Sequence, residues 1–448
     1  MQKNILSRQR HHEQGQTIIL VAISLVSLLA MAALAIDVVT LYVARTEIQR
    51  AADAAALAAA KAIADSGVTT LQISPPDSNL TVARSLAQTM ATTAVTSLLS
   101  APAINLVAGN APTLNTLTPI PIDWSRQGNP HVTISLKASN LPTFFSKIWG
   151  GSAASVTATA TAEAYNPANL PNATITSITP IAPTSVKPWL VANVNPVDSK
   201  PFVDPSTWVV DSSIIGGPAI DLVSACAHPG PNRCHPVPNP PGALSASSVQ
   251  YVPAVVNTSN NQNICPACAG TTDFEQSIEC ADVATSYQVL NCGGGTAQIQ
   301  WDDSLNPGTP PGNNATSLGG QCLIHASSEG AGGQDVLTEP SPIFSAPYQI
   351  KQQSGTLVTT SNSIVTIPIL DRVSTLPFGG GVVTVDGFLQ AFINQVDGPP
   401  AGGGQPPEGS INITVLNIVG CSTVNNGANP VIGGSGTSPI PVRLITPP

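Results

Sequence analysis

The chain has 448 residues, of which only 9% are charged, and it contains 36 Gly and 42 Pro. Beyond residue 65, ten Lys and Arg stand against twenty Asp and Glu, which gives this part a net charge of −10. The composition is typical of an exported, loop-rich protein and offers no basic surface for phosphates, so it excludes nucleic acid as a partner.

The first predicted element is a transmembrane helix at residues 17–36, which read TIILVAISLVSLLAMAALAI. Twenty helical residues rise about 30 Å, which is the hydrocarbon thickness of a bilayer. The basic leader at residues 1–16 carries Lys3, Arg8 and Arg10 against a single acidic residue. The positive-inside rule therefore predicts a single-pass protein whose N-terminus is cytoplasmic and whose remainder is exported.

Two other interpretations of this apolar segment stay open. A cleaved secretory signal would explain the small residues at 30–32 and 33–35, although the apolar region of a signal is usually only about 7 to 15 residues long. A buried core helix would not need a basic leader, and the chain has little charge with which to cover such a helix. No cysteine follows the apolar run closely, which argues against a lipoprotein.

After Asp37 the helical pattern continues to about residue 65, and a stripe of mostly small apolar residues repeats at intervals of three and four. The stripe consists of Leu41, Ala44, Ile48, Ala51, Ala55, Ala58 and Ala62. It predicts a contact with a partner element, either in another subunit or within this chain. A continuous helix over residues 17–65 would be about 70 Å long and would form a membrane-rooted stalk.

Asp37 borders the predicted span directly. The simpler interpretation places its carboxylate among lipid headgroups, and the alternative is a polar contact with a partner helix.

Residues 37–165 are predicted to combine this stalk with a second helix and a small antiparallel sheet. The second helical pattern covers residues 80–98, and the residue alternation at 131–137 and 155–164 predicts two strands with one buried face each. Between the strands, residues 141–149 hold three aromatics, which predicts one or two helical turns packed on the sheet.

Three further segments are predicted beyond residue 165. Residues 166–185 form a linker, residues 186–328 a cysteine-bearing, loop-rich region, and residues 329–448 a C-terminal β-rich module. The strands of the module are expected at 363–370, 382–385 and 411–418.

All eight cysteines lie on the side that is predicted to be exported, where an even number favours disulfides. They are Cys226, Cys234, Cys265, Cys268, Cys280, Cys292, Cys322 and Cys421. Eight cysteines allow 105 pairings, so the sequence leaves the connectivity open. The alternative is a zinc site, because Cys265-Pro-Ala-Cys268 has the spacing of a zinc ribbon, but a second such pair is missing. Its further ligands would come from Cys280, Cys292, His228 and His235.

Motifs for catalysis are weak throughout the sequence. His11 and His12 lack the second half of a zinc-protease motif, and the glycine runs at 293–295, 379–381 and 402–404 lack the lysine of a phosphate-binding loop. We therefore predict no catalytic, cofactor-binding or metal-binding residue and no enzyme activity. A hydrolase or metalloenzyme would rest on Cys265, Cys268 and the histidines alone.

The N-terminal residues form a combination of motifs that resembles a known family. Gly15-Gln16-Thr17 opens the apolar helix, Ala35-Ile36-Asp37-Val38 closes it, and the stretch from Leu41 to Ala58 follows. Together with the Pro142-Thr-Phe-Phe segment and the strand after it, these residues resemble TadG-like proteins of the Flp, or tight-adherence, pilus system over residues 14–165. The resemblance implies a bacterial inner-membrane protein with one N-terminal helix and a large exported part that helps to build or anchor a pilus.

Two departures limit what the resemblance implies. Pilins have Glu at the fifth position after the processing site, and counting from Gln16 that position here is Leu20. Processing by a prepilin peptidase is therefore not expected. Some TadG-like proteins carry a von Willebrand A domain with Asp-x-Ser-x-Ser, but residues 211–215 lack the last serine.

The combined expectation is an α+β protein with a single transmembrane helix, a pilin-like helix and sheet, and a disulfide-bearing, mainly β exported part. It would be a non-enzymatic component of a pilus-assembly or surface apparatus in the bacterial inner membrane, with a periplasmic or extracellular C-terminal part. Its partners would be the inner membrane and other pilus-assembly or membrane proteins, contacted through the N-terminal helix. The alternative function is a surface adhesin or ligand-binding head at residues 186–448, for which the helix is only a mount.

Overall fold

A computed structural model of the chain provides the fold. The residues that it describes are 3–71, 76–100, 112–115, 119–125, 129–141, 143, 145, 154–166, 181–183, 186–226, 241–255, 273–279, 292, 297–302, 315–324, 333–338, 349–356, 361–371, 375–377, 379–396, 409–421, 431–432 and 440–445.

The longest element is helix α1, Lys3–Asp65, which is uninterrupted over 63 residues and contains no proline. It ends where Gly67 adopts a left-handed conformation with φ of 77°, which favours glycine. The Ser66 hydroxyl also donates to the Ile63 carbonyl at 2.7 Å and satisfies one of the last carbonyls of the helix. A buried 3-10 turn at Val68–Thr70 follows.

Three shorter helices complete the helical part of the described residues. Helix α2 is Leu80–Ser100, and its buried alanines pack on α1, as the sequence predicts for a neighbouring helix. Helices α3, Asp273–Glu279, and α4, Ala315–Leu323, contact each other further along the chain.

The described residues contain seventeen strands. In chain order they are β1 (Thr113–Leu114), β2 (Ile122–Asp123), β3 (His131–Leu141), β4 (Ala154–Ala164), β5 (Ile181–Ala182), β6 (Trp189–Ala192), β7 (Ile220–Ser224), β8 (Ala243–Ser245), β9 (Ser248–Pro253), β10 (Ala297–Trp301), β11 (Val336–Thr338), β12 (Gln349–Lys351), β13 (Ile364–Leu370), β14 (Gly381–Val396), β15 (Ile411–Gly420), β16 (Val431–Ile432) and β17 (Val442–Ile445).

A five-stranded antiparallel sheet, which we call the small sheet, packs against the part of α1 that begins at Ala44. Its order is β1-β3-β4-β17, with β2 also paired to β3. The register sets Val132 opposite Ala162 and Ile134 opposite Ala160, so that these side chains share one face. They are buried in the same core as the alanines of α1.

The larger sheet has eight strands in the order β10-β14-β13-β6-β9-β7-β15, with β8 paired to β9. A further pairing of β14 with β15 closes six of them, β14, β13, β6, β9, β7 and β15, into a ring. Two pairs in this ring are parallel, β13 with β6 and β7 with β9, and the others are antiparallel. Every residue of β6, β7 and β13 is buried, so neither face of these strands is exposed. Two two-stranded sheets, β11-β12 and β5-β16, complete the strands described.

The ring changes the expected organisation of the C-terminal part. Strands β6, β7 and β9 come from residues 186–328, whereas β13, β14 and β15 come from residues 329–448. The expected boundary at residue 328 therefore falls inside one sheet, because strands from both sides of it pair with each other. Strand β17 also returns to the small sheet, which the sequence assigned to residues 37–165.

The predicted linker at residues 166–185 is only partly described. Asn166 at its start is buried, and β5 within it pairs with β16. Most of the predicted turns at 141–149 lie outside the described residues, which there include Leu141, Thr143 and Phe145.

Candidate functional site on the N-terminal helix

The first part of α1 exposes large apolar side chains on every side up to Leu29, and beyond that residue on all but the side that holds Ala33 and Asp37. Their exposed fractions range from 41% for Val43 to 72% for Met31. They are Ile18, Ile19, Leu20, Val21, Ile23, Leu25, Val26, Leu28, Leu29, Met31, Leu34, Ile36, Val38, Val39, Tyr42 and Val43. Among the described residues, α1 is the one helix long and apolar enough to cross a membrane.

The second part of α1, from Ala44 onward, differs from the first because one side of it is buried, and the buried residues are mostly alanines. The buried set is Ala44, Ile48, Ala51, Ala52, Ala55, Ala56, Ala59, Ala60, Ile63 and Ala64. Small side chains let the backbone of a neighbour approach closely. Here α2 and the small sheet contact the helix, and Gln49 donates to the Thr159 carbonyl of β4 at 3.2 Å.

The stripe predicted as an interaction face lies largely inside this second part. Four of its members, Ala44, Ile48, Ala51 and Ala55, are buried within the chain. Leu41, Ala58 and Ala62 are partly buried. The sequence left two partners open for the stripe, another subunit or another part of this chain. In the structure the stripe packs against other parts of this chain. The helix is also not a free stalk beyond residue 44, because the small sheet covers one side of it.

Asp37 lies near the middle of the helix and is only 3% exposed. Its carboxylate accepts a hydrogen bond from the backbone N–H of Phe145 at 3.1 Å. The expectation of a headgroup-exposed carboxylate is therefore wrong, because the protein buries the carboxylate and Phe145 donates to it. Ala33, one turn earlier, is buried as well.

The C-terminal end of α1 is joined to the ring by a polar network. The Asn417 side-chain amide donates to the Ala64 carbonyl at 2.7 Å and to the Gln390 side chain at 2.5 Å. Gln390 donates to Asp65 at 3.2 Å, and Asp65 also pairs with Lys61 at 2.6 Å. Asn417 and Gln390 are fully buried in β15 and β14. Gln390 and Asn417 each stand between apolar neighbours in the sequence, and such a polar residue within a strand pattern is the signal that could have identified the network.

The turn after α1 strengthens this junction. The Thr70 hydroxyl accepts from the Ile418 backbone N–H at 3.3 Å, and Asn166 donates to the Ile418 carbonyl at 3.2 Å. Asp77, ahead of α2, accepts from the Ser212 hydroxyl at 2.7 Å. Helix α1, the turn after it and the ring are thus held together by several hydrogen bonds, most of them buried.

A second polar cluster fixes β17 to the small sheet. The buried carboxylate of Glu163 accepts from Asn129 at 3.1 Å, contacts His131 Nε2 at 3.0 Å, and accepts from Arg443 Nε. These contacts follow the register of β3, β4 and β17, and Arg443 also lies over the ring of Tyr165. Each partner satisfies part of the hydrogen-bonding capacity of the carboxylate, so the cluster is structural.

The cysteines of the described residues are all disulfide-bonded. Cys292 and Cys421 form one bond, with a sequence separation of 129. Cys226 and Cys322 each take part in a disulfide as well. Cys292 is therefore not available to the alternative zinc site. The other four cysteines, Cys234, Cys265, Cys268 and Cys280, lie outside the described residues, as do His228 and His235.

Titratable chemistry elsewhere in the described part is sparse. No group of three or more His, Cys, Asp or Glu residues there could hold a metal ion. Lys187 is 1% exposed, and its ammonium donates to the Ile278 carbonyl at 2.8 Å, near the end of α3. Burial lowers the pKa of Lys187 to about 7, because the charged form is poorly solvated there.

The geometry defines a class of protein in which one N-terminal helix, apolar enough to cross a membrane, carries a β-rich head. Residues 15–62 match the family model of putative Flp pilus-assembly TadE/G-like proteins. The match covers about a tenth of the chain and coincides with α1, from the start of its apolar part into its alanine-rich part. It does not extend to residues 63–165, which the sequence resemblance included. No curated protein and no solved structure matches the chain.

Proposed function

We propose that this protein is a non-enzymatic, membrane-anchored component of a Flp-type pilus-assembly or surface apparatus in the bacterial inner membrane. The observation that carries the proposal is the coincidence of the family match with α1, whose first part exposes sixteen large side chains, nearly all of them apolar. The pilin-like arrangement of the remaining part, a long helix against an antiparallel sheet, fits the same role.

Two observations support an exported head and a cytoplasmic leader. The disulfide between Cys292 and Cys421 persists in an oxidising compartment, which the cytoplasm is not. The leader before the apolar segment carries a net positive charge, which holds it on the cytoplasmic side. The head would therefore lie in the periplasm or outside the cell.

The surface available for protein partners differs from the predicted stripe. The alanines of the second part of α1 are occupied by α2 and the small sheet, whereas residues 17–43 have most of their surface free. We therefore assign partner contacts of the helix to this first part, within the bilayer. Substitution of Ala51 or Ala55 would disturb the fold of the protein itself and would not isolate a partner contact.

A chromosomal replacement in the source bacterium tests the proposal. One strain lacks the gene, and a second carries the protein with residues 17–36 replaced by an unrelated apolar span of the same length. We expect deletion to abolish surface pili in electron micrographs. We expect the replaced span to keep the protein in the membrane but to reduce piliation and to remove photocrosslinks from position 28.

The control is the wild-type gene restored at the same locus. Normal pili after deletion would contradict the proposal. Normal pili with loss of attachment to surfaces would instead favour the adhesive head at residues 186–448. Normal pili with the replaced span alone would show that residues 17–36 act as an anchor without recognising partners.

A further inference from the structure

The exposed surface of α1 carries no charge over a longer range than the predicted span. Between Thr17 and Arg45 the sequence contains one charged residue, Asp37, and the protein buries its carboxylate. The stretch at residues 17–44, whose exposed surface is uncharged, is about 42 Å long, because a helix rises 1.5 Å per residue. A bilayer measures about 40–45 Å when its headgroup layers are included. The stretch therefore matches the whole bilayer, not only its hydrocarbon core.

The residues after Asp37 have the character of a membrane interface. Val38, Val39 and Val43 are exposed, and Tyr42 exposes 71% of its surface. Tyr is enriched where its apolar ring meets the hydrocarbon and its hydroxyl meets the headgroups. Arg45 is exposed one turn further on and can interact with lipid phosphates. These residues place the exported boundary near residue 43 and not at residue 37.

The hydrogen bond between Phe145 and Asp37 brings part of the head below this boundary. Asp37 lies eight residues before Arg45, which is about 12 Å along the helix. Phe145, whose backbone N–H reaches the Asp37 carboxylate, therefore lies on the membrane side of Arg45. Ala33, about 6 Å deeper along the helix, is also covered by the chain. Part of the head thus overlaps the lipid-facing stretch of α1.

We propose that the head reaches into the exported leaflet of the bilayer, with Phe145 at the level of the upper acyl chains and the lipid contact of α1 extending to Val43. The occupant of this surface is the headgroup and upper acyl region of the lipids. Asp37 tolerates this depth because its carboxylate is bonded to a backbone amide and covered by protein. The proposal rests on the membrane anchorage proposed above.

A boundary at residue 37 would require a different environment for residues 38–43. Val38, Val39, Tyr42 and Val43 would then form an apolar patch that is exposed to water. Soluble surfaces rarely keep such patches without a partner, since their burial is favourable. Continuity with the span makes lipid the partner that the geometry favours.

Tryptophan depth measurements test the proposal on the full chain. The protein is reconstituted in vesicles of phosphatidylethanolamine and phosphatidylglycerol that contain lipids with a nitroxide either high or low on the acyl chain. Reporters are Val43→Trp and Phe145→Trp, and the quenching added to that of the wild-type protein is measured. We expect both reporters to be quenched several-fold more by the shallow nitroxide than by the deep one.

Two matched variants supply the controls. Leu29→Trp lies near the middle of the stretch at residues 17–44 and should be quenched most by the deep nitroxide. Leu244→Trp lies on exposed β8 of the large sheet, which meets α1 at Asp65, about 30 Å beyond Arg45, and should be quenched by neither. Circular dichroism melting curves identify any reporter that does not fold.

The outcomes separate the two proposals. If Leu29→Trp is quenched and either Val43→Trp or Phe145→Trp is not, the head does not reach into the bilayer, and the anchorage remains. If Leu29→Trp is not quenched, the membrane anchorage itself is wrong. Quenching of both interfacial reporters by the shallow nitroxide supports the proposed position of the head.

Discussion

The two parts of α1 form one continuous helix, but the first part exposes large apolar side chains whereas the second part buries small ones. Up to Val43 the large aliphatic residues point outward, whereas from Ala44 most of the alanines are buried and Arg45 and Arg50 are exposed. Large apolar side chains on the outside suit a lipid solvent, and small ones on the inside suit close packing of protein on protein. The comparison shows that side-chain size, more than hydropathy, distinguishes the two environments of this helix.

Charges in the first part should have the largest effect. The double substitution Leu25→Arg and Leu29→Arg should cost about 6 kcal/mol of insertion free energy, since each Arg costs about 3 kcal/mol relative to Leu at a span centre. The expected result is loss of the protein from the carbonate-resistant membrane fraction. The matched variant, Ala at both positions, should stay in that fraction. Retention of the Arg variant would mean that this part of the helix does not face lipid.

The second test concerns a charge buried inside the protein, and the pH dependence of stability shows what the burial of Lys187 costs in unfolding free energy. Below pH 7 this lysine is protonated in both the folded and the unfolded chain, so its burial cost is complete. Between pH 7 and its ordinary pKa of 10.5, the folded chain has released a proton that the unfolded chain keeps. Stability should therefore rise with pH across this range, by up to about 5 kcal/mol for this residue.

Lys187→Met should remove this rise. Denaturant unfolding at pH 6.5, 8 and 9.5 should show the variant gaining stability relative to wild type at the lowest pH, with the gain shrinking as the pH increases. Lys200→Met is the control, because Lys200 is exposed and pairs with Asp198 at 2.8 Å. A stability difference for Lys187→Met that does not change with pH would contradict the burial of a charge.

Enlarging the alanines tests the second part of the helix. Ala55 and Ala59 are fully buried, so replacing either with Leu should cost about 1–3 kcal/mol through overpacking. Ala54 is exposed, and Ala54→Leu should change the unfolding free energy by less than about 0.5 kcal/mol. Thermal unfolding in detergent measures both effects. Equal stability of all three variants would show that the small sheet does not pack closely on α1.

The junction with the ring should give an effect of about the same size as the enlarged alanines. Asn417→Ala leaves the Ala64 carbonyl and Gln390 without their donor, which should cost about 1–3 kcal/mol. Hydrogen exchange should increase at the end of α1 more than in its membrane-facing part. Asn115→Ala removes an exposed amide and serves as the control. Unchanged exchange at residues 60–65 would mean that Asn417 does not hold the helix end.

The sequence predicted the long periodic elements and missed the contacts between distant segments. The apolar run, α2, β3 and β4 have patterns long enough to identify the element and its buried face. The alanine stripe revealed a buried face but not its occupant, because periodicity carries no information about the partner. Strands β6, β7 and β9 have four to six residues and are mostly or entirely buried, so they lack the alternation that marks a strand.

The same limit applies to the candidate site. Asp37 and Phe145 are 108 residues apart, and Asn417 and Ala64 are 353 residues apart. Composition alone cannot pair such residues, because many polar groups in the chain could serve as partners. The extended apolar surface up to Val43 was visible in the sequence, but Asp37 interrupted it until its burial was known.

The return of β17 to β4 has a consequence for the order in which the protein folds. Glu163 and Arg443, which join these strands, are 280 residues apart in sequence. If the head crosses the membrane in chain order, starting from the residues after the apolar part of α1, β4 emerges well before β17. During that interval β4 is an open edge strand, able to pair with a strand of another chain. The arrival of β17 closes that edge, so the time needed for export sets how long each new molecule is exposed to aggregation.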